Sequence, residues 1–202
     1  MIKQKGFSLI ELLVVVAIIA ILAAVGIVAY NGYTKHAKAS AAKANHSTVC
    51  GYVRAEAVRC QLGEDEIFNG EIKCSAISNT ITSKSWAGMD ALVKAQYNAL
   101  VGKFKNPYGP QLPWYTTDEG VLDHSKNRGG YRNLGLVVLN YKRKPKDGKA
   151  KTLVSTCFEP PGDDPSRGCD GDPWDVIDGY SLNAADEAAK SHRLYCPIEW
   201  WP

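Results

Sequence analysis

Residues 7–30 read FSLIELLVVVAIIAILAAVGIVAY, the longest apolar stretch of the chain. From Leu12 to Ala29, 18 consecutive residues are apolar or glycine, and Glu11 is the one charge in the segment. As a helix, the 24 residues would be about 36 Å long, enough to cross a hydrocarbon core of about 30 Å. The six residues before it, MIKQKG, are short and basic, so that end stays cytoplasmic and the remainder faces outward. A cleaved secretory signal would be cut after the apolar run, at a small-x-small site for which the Ala-rich stretch 23–29 offers candidates. Its apolar core is ordinarily about 7–15 residues, shorter than this one. A plain anchor accounts for the length but gives Glu11 no role. A carboxylate at that depth costs about 2.5–3.5 kcal/mol on insertion scales unless it is paired or protonated.

The run Lys5-Gly6-Phe7-Ser8-Leu9-Ile10-Glu11-Leu12-Leu13-Val14-Val15 resembles the class III signal of type IV pilins and of the pseudopilins of type II secretion. The resemblance covers about 25 of the 202 residues. It implies a leader, residues 1–6, removed by prepilin peptidase between Gly6 and Phe7, followed by N-methylation of the Phe7 amine. Glu11 then takes the fifth mature position, where the family carries its acid. Pairing Glu11 with the Phe7 amine of a neighbouring subunit would offset the burial cost of both charges only when subunits are in register. Such a pair specifies stagger as much as it stabilises. One departure stands out. Many major pilins have proline in a pattern ending Ile-Pro-Ala-Tyr, and here Ile27-Val28-Ala29-Tyr30 places Val28 at that position. Without proline the helix has no obligatory kink, and Gly26 is its one weak link, at about 1 kcal/mol relative to alanine.

Residues 31–61 are Ala-rich and polar, with no proline before Pro107, and continue the helix from about 7 to about 61. Ala41, Ala44, Thr48, Tyr52, Ala55 and Val58 recur every three or four residues and supply an expected face for packing on a head. Gly63 is the expected stop, and Gly32 and Gly51 are points where the helix could bend. Lys35, Lys38 and Lys43 read as a solvated face or a headgroup contact rather than a DNA patch.

The head, residues 62–202, begins irregularly. Trp86, Met89, Leu92, Val93, Tyr97 and Leu100 at helical spacing predict a core-facing helix, with Ser85 as N-cap and Gly102 as stop. Asn106 to Pro110 is a turn. Leu134–Tyr141 and Lys149–Phe158 are β-rich and joined through Asp147-Gly148 as a hairpin. A third strand is expected near Pro113–Thr117 or Gly120–Asp123. The expected fold is therefore α+β: a long hydrophobic N-terminal helix on an antiparallel sheet spanning about 112–158, followed by a C-terminal loop region, 157–202. This also resembles the pilin head, in which a disulfide bounds the C-terminal loop. The tail Ile198-Glu199-Trp200-Trp201 is expected to pack on the head or on a neighbouring subunit.

Six cysteines, at 50, 60, 74, 157, 169 and 196, form no C-x-x-C pair, and the four histidines have no zinc-ligand spacing. In an exported chain they read as disulfides. Fifteen connectivities are open. The expected set is Cys60–Cys74 and Cys157–Cys169 as local bridges, with Cys50–Cys196 tying the tail to the helix.

The charge balance, 24 Lys+Arg against 21 Asp+Glu, falls to +1 once Lys3 and Lys5 leave with the leader. That near-neutrality suits subunits packed side by side and gives no reason to expect a specific nucleic-acid or small-molecule ligand. Asp170, Asp172 and Asp175 alternate in a Gly/Pro-rich stretch, a pattern able to supply oxygen ligands to calcium. The EF-hand spacing is not met, and solvated turn aspartates are the plainer reading, so no cofactor is expected. No phosphate loop, G-x-S-x-G or H-E-x-x-H occurs, and no enzymatic activity is expected. The resemblance implies a homopolymer built by an inner-membrane platform and its ATPase. The subunit would begin as a single-pass inner-membrane precursor and end in an extracellular pilus serving adhesion, twitching motility or DNA uptake. A type II secretion pseudopilin or minor pilin is the alternative.

Overall fold

The structure, a computed structural model, describes residues 8–77, 86–109, 120–123, 134–141, 151–158 and 193–200. Two compact units divide at Ala37 and Lys38. In the first, helix α1 (Leu9–Gln61) starts at Leu9 and carries large exposed apolar side chains: Leu9, Ile10, Ile21, Leu22, Val25 and Val28 are all more than 60% exposed. This portion of α1 is long and apolar enough to cross a membrane.

In the second unit α1 buries Ala42, His46, Val49, Cys50, Val53, Glu56, Ala57 and Cys60. This corrects the expected face. Ala41, Ala44, Thr48, Ala55 and Val58 are exposed, and Tyr52 is half-buried. The error has a physical cause: the true inner face carries His46 and Glu56, whose polarity is tolerated because each has a specific partner in the head. Apolar periodicity alone therefore selects the opposite side of the helix. At the C-terminus the Gly63 N–H bonds the Cys60 carbonyl at 3.2 Å and the Glu64 N–H bonds that of Arg59 at 3.1 Å. Gly63 takes φ +93°. This is a Schellman cap, and it requires the left-handed conformation that glycine adopts without penalty.

After the cap, β1 (Glu66–Ile67) and β2 (Ile72–Lys73) form a small antiparallel hairpin where irregular chain was expected. Helix α2 (Trp86–Leu100) buries Met89, Leu92, Val93, Tyr97 and Leu100, the stripe read from sequence. The chain leaves α2 through Gly102 at φ +76°.

The main sheet has four strands in the order β3 (Val121–Asp123), β4 (Val137–Tyr141), β5 (Lys151–Cys157) and β6 (Arg193–Glu199). The β4–β5 pair is the expected hairpin, with Val138 opposite Ser155 and Asn140 opposite Leu153. Two features differ from expectation. β3 runs parallel to β4, and the 13 residues between them suffice for the crossover of about a dozen that parallel pairing needs. The sheet also extends past 158. Residues 193–199 pair antiparallel along all seven residues of β5, with Val154 opposite Cys196, so 157–202 is not loop throughout. Trp200, just beyond β6, is fully buried and donates through Nε1 to Thr152 Oγ1 at 2.8 Å. A single core joins the inner face of α1, α2 and the sheet, including Val53, Leu92, Leu139, Val154, Ile198 and Trp200. The Pro113–Thr117 strand, Ser85 and the 142–150 connection lie outside the described residues.

Candidate functional site at the start of the apolar helix

The local sequence Ser8-Leu9-Ile10-Glu11 has the S-x-x-E form of a capping box, a signal that the sequence reading missed. The structure builds it. The Glu11 carboxylate accepts the Ser8 backbone N–H at 2.8 Å, and the Ser8 hydroxyl oxygen accepts the Ile10 N–H at 3.3 Å. The Leu12 N–H bonds the Ser8 carbonyl at 3.2 Å, closing the first turn. The four amides at a helix start have no partners within the helix, so a carboxylate one turn in is favoured both by these donors and by the helix dipole. Glu11 therefore already has an intrachain role. The second carboxylate oxygen, Oε1, accepts no hydrogen bond among the described residues. Gly6 and Phe7, the expected cleavage and methylation positions, lie outside the described residues.

Several attachments among the described residues hold the second half of α1 to the head. His46 Nδ1 lies 3.1 Å from Thr156 Oγ1 of β5, fully within the helix–sheet contact. Burial, and then the positive charge of Arg54, pull the His46 pKa down from 6.5 to about 4, so the ring is neutral at physiological pH. Cys50 is bridged to Cys196 of β6 with Cα atoms 6.1 Å apart. Glu56, 5% exposed, accepts the Phe68 N–H at 2.8 Å and pairs with Arg59 Nη1 at 3.0 Å. Beside it the Tyr52 hydroxyl is pushed above its ordinary pKa, first by burial and then by the Glu56 charge, with Arg59 opposing.

Cys60 is bridged to Cys74, Cα atoms 5.5 Å apart, which clips the β1–β2 hairpin to the end of α1. Cys157 is also in a disulfide, while Cys169, its expected partner, lies outside the described residues. So do Asp170, Asp172 and Asp175. His46 and Glu56 were not singled out from sequence. A lone polar residue on a helix carries no mark of its partner when that partner is 110 residues away, as Thr156 is.

A family model described as the prokaryotic N-terminal methylation motif matches residues 1–27, the signature of type IV prepilins. No curated protein and no solved structure matches the chain. The motif is one carried by pilin-like and pseudopilin-like precursors, and it implies processing by prepilin peptidase and pilus-type assembly in general; the apolar helix is consistent with a membrane-anchored precursor.

Proposed function

We propose that the chain is a subunit of a type IV pilus filament, cut after Gly6, methylated on Phe7 and polymerised through the apolar part of α1. The observation that carries this reading is a single carboxylate, Glu11, at the amino end of an apolar helix whose large side chains are exposed. An exposed apolar surface of this size needs lipid or other subunits to cover it. Among the described residues Glu11 keeps one oxygen, Oε1, without a hydrogen bond, and in the filament it would pair with the Phe7 amine of a neighbour. A disulfide-braced head suits the exposed outside of such a fibre.

A pseudopilin role is the second reading. It is favoured by the absence of proline throughout α1, where Val28 stands at the position many major pilins give to proline.

Shearing cells and probing the released fibres separates the two. Abundant long fibres containing this chain support the pilus reading, and short or absent ones support the pseudopilin. Intact-mass analysis of the mature subunit should give a methylated amino terminus at Phe7. A mature chain beginning near residue 30 would overturn both readings. Glu11→Ala should insert and be cleaved but assemble poorly.

A further inference from the structure

The sequence holds two Asn-Gly dipeptides, Asn31-Gly32 and Asn69-Gly70. In such a pair the glycine nitrogen can reach the asparagine side-chain carbonyl readily, because glycine adds no side chain to obstruct the approach. Chemically the two are equal, and the fold sets them apart. Asn31 lies inside α1, 22 residues after Leu9 and 30 before Gln61, where the Gly32 N–H is committed to the carbonyl four residues earlier. Freeing it disrupts the helix on both sides, since helical hydrogen bonds are made and lost cooperatively. Asn69 lies at the tip of the β1–β2 hairpin. Ile67 to Gly70 form a type I′ turn, with Phe68 and Asn69 at φ 53° and 59° and the Gly70 N–H bonded to the Ile67 carbonyl at 3.2 Å. Asn69 and Gly70 are exposed, and among the described residues no hydrogen bond holds the Asn69 side chain. One hydrogen bond therefore restrains the Gly70 nitrogen.

We infer that Asn69 is a site of spontaneous deamidation gated by opening of this turn, and that Asn31 is protected by its helix. The inference does not depend on whether the chain forms a filament. From the opened turn the Gly70 nitrogen, its proton lost to hydroxide, attacks Asn69 Cγ. The Cγ–Nδ2 bond breaks, ammonia leaves, and a succinimide ring joins the two residues. Water then opens the ring at either carbonyl, giving an aspartyl or an isoaspartyl link, and nothing is oxidised or reduced. In the isoaspartyl product the main chain runs through the former side chain and is one methylene longer. A four-residue turn closed by one bond cannot take up that extra atom, so the Ile67–Gly70 bond is lost. Either product adds a carboxylate to a hairpin that already sets Glu64, Asp65, Glu66 and Glu71 against Lys73. Glu66 Oε2 lies 3.4 Å from where a Cβ on Gly70 would stand, so the new charge meets like charge. The preceding residue, Phe68, is fully buried, packs against Tyr52 and Trp200, and has its N–H held by Glu56. A change at Asn69 is thereby passed directly to the core, and deamidation loosens the head as the subunit ages.

The test follows the full chain in detergent, held in mildly alkaline buffer and sampled over time by peptide mapping. Tandem mass spectrometry locates the one-dalton gain of deamidation, and enzymatic methylation identifies isoaspartate. Free peptides covering 28–35 and 66–73 are the ungated references and should convert at similar rates. In the folded chain Asn69 should convert more slowly than its peptide and about ten-fold or more faster than Asn31, the order set by opening an exposed turn against opening a helix interior. Glu56→Ala, which frees the Phe68 N–H, should raise the Asn69 rate several-fold and leave that of Asn31 as it was. Mild reduction of Cys60–Cys74 in the unmutated chain loosens the same hairpin and should act in the same direction. Hydrogen exchange across 66–73 should be faster in the aged chain than in the fresh one. Any of four results overturns the proposal: Asn69 converting no faster than Asn31, Asn69 converting as fast as its free peptide, an Asn69 rate unmoved by both the Glu56 variant and reduction, or unchanged exchange after ageing.

Discussion

Glu56 on α1 accepts the backbone N–H of Phe68, at 2.8 Å, from within the core. Phe68 and Asn69 both take left-handed backbone angles, φ 53° and 59°, a conformation that costs a non-glycine residue on the order of 1 kcal/mol or more. The carboxylate, the burial of the Phe68 ring against Tyr52 and Trp200 at 5.9 and 5.8 Å, and the neighbouring Cys60–Cys74 bridge together hold this turn in place. Glu56→Ala removes the acceptor and leaves a buried N–H unpaired, so it should destabilise the head by about 2–3 kcal/mol. Glu56→Gln keeps an acceptor oxygen and should lose less. Denaturant unfolding of the detergent-solubilised chain, followed by tryptophan fluorescence, gives the two values. Equal losses would show that charge, and not the acceptor, matters.

His46 makes the head acid-sensitive. Its folded pKa, about 4, lies below the unfolded value of 6.5, so the unfolded chain takes up the proton first as the pH falls. The contribution is intact above pH 6.5, declines between 6.5 and 4, and levels off below 4. Allowing for solvent that still reaches the ring, about 2 kcal/mol should be lost between pH 7 and pH 4. His46→Gln can still bond Thr156, and its stability should depend less steeply on pH over that window. Thermal melts of both proteins at half-unit pH intervals provide the comparison, and parallel profiles would exclude His46 as the source.

The two described bridges should differ in weight. Cys50–Cys196 closes a separation of 146 residues and Cys60–Cys74 one of 14. In the chain-entropy model the first contributes about 5 kcal/mol and the second about 3. Paired Cys→Ala replacement of the first should therefore lower the melting temperature more than that of the second. The same replacement should also expose β6 to proteolysis, because the bridge ties the last strand to α1.

Ser8→Ala should loosen the first turn of α1 without removing the bond from the residue-8 amide to Glu11. Loss of the hydroxyl cap costs about 1 kcal/mol, which corresponds to about five-fold faster hydrogen exchange at the Ile10 amide. Mass-resolved exchange of the amino-terminal peptide in detergent measures it. An unchanged rate would mean that the hydroxyl does not hold that amide.

Residue order alone determined the elements whose signal is local. The 18-residue apolar run, the single acid at position 11, the Gly63 stop, the α2 stripe and the β4–β5 hairpin are each written within a short window of chain. They could be read because periodicity, capping and turn chemistry act over a few residues. The tertiary structure alone decided which side of α1 faces the core, since His46 and Glu56 become acceptable there only through Thr156 and Phe68. It also decided that residues 193–199 complete the sheet, because a strand's partner is chosen by hydrogen bonds to β5, some 40 residues away. Contacts between residues distant in sequence leave no periodic trace in it.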